Sequence, residues 1–94
     1  MDKMKQASEE YFFRSLLSFE NLDEAKTFFK IFCTDKETQL IAQRLYVAKL
    51  LSENKVYTEI VQKTGASSAT ISRVKRAMEI DREFFEKLLG KLNG

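Results

Sequence analysis

The chain has 94 residues, enough for one small domain spanning 1–94 and no more. Its 16 basic and 14 acidic side chains leave a net charge of +2, too small a balance to mark a polycationic nucleic-acid binder by content alone. There is no His or Pro, and there are one Cys and three Gly. A lone Cys33 cannot close an internal disulfide, which fits a reducing cytoplasm, and it cannot build a thiolate zinc site. No cofactor or metal site is expected. Without His, a glycine-rich phosphate loop or a paired nucleophile and base, the chain does not read as an enzyme. No apolar run approaches the roughly 20 residues of a membrane span. The start, MDKMKQASEE, lacks the apolar core of a secretory signal.

No β-alternating run is bounded by turn residues, so the expected fold is all-α, with five to six short helices. The first runs from about Lys5 to Ser18 and carries Phe12, Phe13, Leu16 and Leu17 on one side. Asn21 and Glu24 have capping-box spacing and open a second helix, with Leu22, Ala25, Phe28, Phe29 and Phe32 along one face. Thr34-Asp35-Lys36-Glu37 is a full capping-box sequence and starts a longer helix reaching about Glu53. Apolar residues from Leu40 to Leu51 cover most of that helix's circumference, so it should lie inside the assembly. Asn54 is a helix end. After residues 57–78, Asp81 caps a last helix bearing Phe84, Phe85, Leu88, Leu89 and Leu92.

The segment from Tyr57 to Met78 reads as helix, turn, helix. Ile60 and Val61 are apolar on the first helix, and Gly65 stands where the chain must turn, because glycine tolerates positive φ. Ser67 or Ser68 is the N-cap of the second helix. Ile71, Val74 and Met78, spaced i, i+3 and i+7, make its buried stripe. At about 100° per residue, Ala69, Ser72, Arg73 and Arg76 project from the opposite side. Between Glu59 and Glu79 there is no acid, and Lys63, Arg73, Lys75 and Arg76 fall inside that stretch. Phosphate contacts need positive charge on one surface, so this local cluster matters more than the net charge. Scattered cations on a solvated helix face are the plain alternative. Coincidence with the exposed side of a helix-turn-helix favours a DNA-binding second helix.

Six of the eight Phe precede Thr34. A monomer of this size buries a limited share of its surface, and the flanking helices are short. A homodimer whose N-terminal helices wrap the partner would supply the missing cover. It would also read two half-sites roughly one helical turn apart.

From Phe32 to Met78 the chain resembles the Trp repressor family, most of all its YerC-like branch. The match rests on Thr34-Asp35-Lys36-Glu37, on Leu50-Leu51, and on Gly65-Ala66 followed by Ala69-Thr70-Ile71-Ser72-Arg73. The resemblance covers about half the chain and implies an intertwined helical homodimer on double-stranded operator DNA. It places Thr58, Ser68, Ala69 and Ser72 toward the groove, with Lys75 and Arg76 near phosphates; Ser67 and Arg73 complete the DNA-binding set. Hydroxyl groups at Thr58, Ser68 and Ser72 suit several base edges, and Ala69 can lie against a thymine methyl. Sequence choice would then draw on DNA shape and half-site spacing.

The family's tryptophan-binding members sandwich the indole between two Arg side chains. One position matches Arg73; the other falls at Gln43, which offers no cation to an aromatic face. Val74 and Ala77 stand where the resemblance would want a smaller residue and a hydroxyl. Gln43, Arg73, Val74 and Ala77 would line a ligand pocket at that position, with tryptophan not expected as the corepressor. The expected function is therefore a sequence-specific DNA-binding regulator, a repressor in kind, acting as a homodimer without tryptophan. The alternative class is a protein-interaction module, or a non-specific nucleic-acid binder, built on the same helix-turn-helix.

Overall fold

A computed structural model describes residues 2–93, in six helices: α1 Lys3–Leu17, α2 Leu22–Phe32, α3 Asp35–Ser52, α4 Tyr57–Thr64, α5 Ser68–Met78 and α6 Arg82–Asn93. No strand occurs among the described residues. The chain divides into two compact units, Met1–Thr38 and Gln39–Gly94.

The first unit is built from local capping chemistry and aromatic contact. α1 starts two residues earlier than the apolar pattern suggests, because the Asp2 carboxylate accepts from the Met4 amide at 3.0 Å. Asn21 caps α2 by accepting from the Glu24 amide at 2.9 Å. The Glu24 carboxylate reaches back to the Glu20 amide, one residue upstream of the reciprocal partner a capping box would use. At the start of α3 the box is complete. Thr34 Oγ1 accepts from the Glu37 amide at 3.1 Å, and Glu37 accepts from the Thr34 amide at 2.8 Å. Phe28 is the hub of an aromatic cluster, its ring 5.0 to 6.0 Å from those of Phe32, Phe19, Phe29 and Phe12. Even so, no residue of α1 or α2 is buried.

The second unit has a conventional core. Val47, Ala48 and Leu50 from α3, Ile60 from α4, Ala66 from the turn, and Ile71 and Val74 from α5 are all buried. Leu51, Tyr57, Met78 and Phe85 pack around them. Every buried residue among those described is apolar, so the core carries no desolvated charge. The apolar stripe of α5 is thus where the periodicity puts it, with Met78 half-buried at its end. On α4, only Ile60 of the Ile60-Val61 pair enters the core.

The C-terminus of α3 closes with a Schellman arrangement. The Lys55 amide donates to the Leu50 carbonyl at 3.1 Å and the Asn54 amide to the Leu51 carbonyl at 3.0 Å. Asn54 takes the left-handed conformation this needs, with φ of 61°. Asp81 caps α6 by accepting from the Phe84 amide at 3.0 Å. The burial of α3 is uneven: Val47, Ala48 and Leu50 are inside, whereas Leu40, Ile41, Leu45 and Tyr46 stay exposed on the single chain.

Candidate nucleic-acid interface

The turn between α4 and α5 is set by three residues. Gly65 sits in the left-handed region at φ 74°, and its amide still donates to the Val61 carbonyl at 2.9 Å. Thr64 Oγ1 donates to the Ile60 carbonyl at 2.7 Å and accepts from the buried Ala66 amide at 3.1 Å. Ser67 is the N-cap of α5, its Oγ accepting from the Thr70 amide at 3.1 Å. Ser67, assigned to the DNA-binding set, therefore already has a structural duty.

Beyond that cap, α5 presents a mixed polar and basic face. Ser68, Ala69, Arg73 and Arg76 are exposed, Ser72 is half-buried, and Thr58 is exposed on α4. Among the described residues no ion pair involves Arg73, Lys75 or Arg76. Lys63 differs from them, because Glu59 holds its ammonium at 3.2 Å. Glu59 therefore competes for Lys63, whereas Arg73, Lys75 and Arg76 have no such ion-pair partner among the described residues. Lys75 follows a different wall from Arg76. It lines a cleft of about 590 Å³ together with Leu51, Tyr57, Met78 and Phe85, consistent with the 100° step between neighbouring helical residues.

The four residues proposed to line a ligand pocket differ in their surroundings. Gln43 is half-buried and lines a shallow depression with Gln39, Ala42, Tyr46, Lys63 and Thr64, whereas Arg73 and Ala77 are exposed and Val74 belongs to the core. The Gln43 side chain is engaged elsewhere: its Nε2 donates to the Thr64 carbonyl at 3.0 Å. Nothing in the local sequence signals this contact, which joins residues 21 positions apart.

The six helices of the described residues, with a glycine-turned pair in which α5 shows a cationic face, define a helix-turn-helix protein. Comparison with known proteins narrows the class. A family model described as Trp repressor protein matches residues 7–93, and the chain belongs to that family. It is 41% identical over 92 residues to the uncharacterized protein YerC of Bacillus subtilis (strain 168), a match covering 98% of this chain and 88% of YerC. A TrpR like protein from Eubacterium eligens ATCC 27750 superimposes with a TM-score of 0.88 at 41% identity, covering 97% of this chain and 94% of that one. A crystal structure of a candidate Trp repressor from Staphylococcus aureus gives 0.86 at 35% identity, covering 99% and 96%. The resemblance read between Phe32 and Met78 thus extends over nearly the whole chain. No helix among the described residues is long and apolar enough to cross a membrane.

Proposed function

We propose that this protein is a sequence-specific DNA-binding regulator of transcription, a repressor in kind, acting in the cytoplasm as an intertwined homodimer through α4 and α5. The observation that carries the reading is the exposed face of α5, where Ala69, Arg73 and Arg76 stand free with Ser72 beside them. That face follows a helix-turn-helix bend and offers small polar groups for base edges and cations for phosphates. Membership of the Trp repressor family supports it.

The homodimer is supported by the apolar surface of the first unit. Leu17 is 88% exposed, Phe32 71% and Ile31 66%. Patches of this kind on a small protein mark a binding surface, and a second copy of the chain brings the same face under two-fold symmetry. Binding without tryptophan is supported at Gln43, which has no cation and whose amide is already committed to Thr64. Saturable binding of L-tryptophan in a calorimetric titration would remove that part of the proposal.

The test is selection of bound duplexes from a random DNA pool by purified protein with no added ligand. Enrichment of a two-fold-symmetric motif is expected. No enrichment would reject autonomous DNA reading and leave α5 as a protein-contact helix. With the selected duplex in hand, Arg76→Ala should weaken binding to all sequences and flatten the salt slope by roughly one. Ser72→Ala should shift preference at one position per half-site.

A further inference from the structure

We propose that Gln43 is the positioning residue that locks the helix-turn-helix onto α3, so that the reading helix is oriented without any ligand. Among the described residues, every other hydrogen bond from or to a side chain joins positions no more than four apart. The bond from Gln43 Nε2 to the Thr64 carbonyl alone bridges distant parts of the chain, and it is partly buried. Apolar packing, which supplies the rest of the attachment between α3 and α5, is non-directional and tolerates sliding and rotation. A hydrogen bond has a preferred length and angle, so a single one at the right place fixes register.

The acceptor explains why this place is the right one. Thr64 is the last residue of α4, and the final carbonyls of a helix have no partner within it. Gln43 supplies one such partner from another helix. Thr64 then passes the constraint on, since its Oγ1 accepts from the Ala66 amide, one residue before the Ser67 cap of α5. The sequence of contacts runs from α3 through Gln43, Thr64 and Ala66 to the N-terminus of α5. Ser68 and Ala69, the first exposed residues of the reading face, follow directly. Residues fixed in this way present base-contacting groups at a defined distance from the symmetry axis of a dimer, and that distance sets half-site spacing.

Two variants of matched length test the lock. Gln43→Met keeps the bulk and removes the donor; Gln43→Glu keeps the shape and turns lone pairs toward the Thr64 carbonyl. Amide hydrogen exchange is read at Gly65 and Ala66, with Val47 and Ala48 in the α3 core as the internal standard. The expected result is a loss of protection at Gly65 and Ala66 of about threefold to tenfold in Gln43→Met, larger in Gln43→Glu, with the standard unchanged. A side chain that merely filled space would be silent as Met, and equal protection in that variant overturns the lock.

The second readout rests on the DNA-binding reading above. Below the melting range of both proteins, the ratio of affinities for the selected duplex and for one with an extra base pair between half-sites is compared. Gln43→Met should lower that ratio by about threefold, with the salt slope unchanged. An unchanged ratio overturns the positioning role. If the wild-type protein selects no duplex, the DNA reading fails while the exchange result still decides whether Gln43 locks the turn.

Discussion

The two compact units spend their apolar residues differently. In Gln39–Gly94, side chains from three helices and a turn converge on a core that excludes water. In Met1–Thr38, six Phe gather ring against ring, yet neither α1 nor α2 buries a single residue. An apolar cluster that stays wet gains little of the roughly 25 cal/mol per Å² that burial supplies. The second unit therefore has a reason to fold within one chain, and the first has a reason to wait for another. That contrast is what supports the proposed homodimer, and it can be broken from either side.

The largest effect should come from the covered core. Ile71 is fully buried, so Ile71→Ala should cost about 2 to 5 kcal/mol, seen as a lower denaturation midpoint by circular dichroism. Next comes the uncovered face. In an isolated chain, Ile31→Asp would replace an exposed side chain and change stability by about 0.5 kcal/mol at most. If α2 lies in a homodimer interface, the buried carboxylate should cost about 2 kcal/mol or more. Sedimentation velocity should then show the wild-type dimer shifting to monomer, and the concentration dependence of the thermal midpoint that a dimer shows should weaken. A dimer as tight as wild type would show that the first unit is not the dimer contact.

The contrast was only partly legible in the sequence. Caps at Asn21, Thr34 and Asp81 were readable because each rests on a side chain and an amide three positions apart, whereas the structure was needed to choose Ser67 over Ser68. The stripe of Ile71 and Val74 was readable from helical period alone. What the sequence did not reveal is where the apolar face of α3 is covered: Leu40 and Leu45 look as core-forming as Leu50, and only the fold separates them. At the candidate interface, the exposure of Ala69, Arg73 and Arg76 followed from the helical wheel, which also put Ser72 outside although it is half-buried, and the pairing of Lys63 with Glu59 competes with its role as a free cation. Gln43 shows the limit most clearly. Its partner Thr64 lies at the far end of the next helix, and no local pattern encodes a contact of that range.

Smaller effects should come from the two left-handed residues, both near the helix-turn-helix. Gly65 sits at φ 74°, and no atom lies within 4 Å of the point a Cβ would occupy, so Gly65→Ala meets backbone strain and no clash. The expected loss is about 1 kcal/mol. Asn54 at φ 61° is the mirror case, an ordinary residue where glycine fits better. Asn54→Gly should raise stability by about 0.5 kcal/mol. Both are read by urea denaturation, and a gain for Gly65→Ala would contradict the turn geometry. Neither substitution touches the first unit, so neither should alter a dimer made through α2.

The smallest effect concerns pH, and it also separates the units by cause. No charged residue is buried among those described, so burial gives the core no titration of its own. The perturbed groups are an exposed pair on the last turn of α3 and beyond it. Glu53 is held below the usual carboxylate range, first by its hydrogen bond with Lys49, whose ammonium lies 2.7 Å away. Lys49 is raised by the same bond. Because the folded-state value of Glu53 is depressed, its contribution is present above the ordinary Glu range and is lost as pH falls through that depressed value. Lys49 contributes below the ordinary Lys range and loses it as pH rises through its elevated value. The pair therefore helps across the neutral region and fades at both ends, by a small amount because solvent screens it. Glu53→Gln should flatten the acid limb of the stability profile and remove most of the alkaline contribution of Lys49, because the same bond perturbs both groups. The Tyr46 ring, 5.3 Å from the Lys49 ammonium, should preserve a small remnant on the alkaline side, and an alkaline limb left unchanged in Glu53→Gln would show that the bond to Glu53 does not raise Lys49.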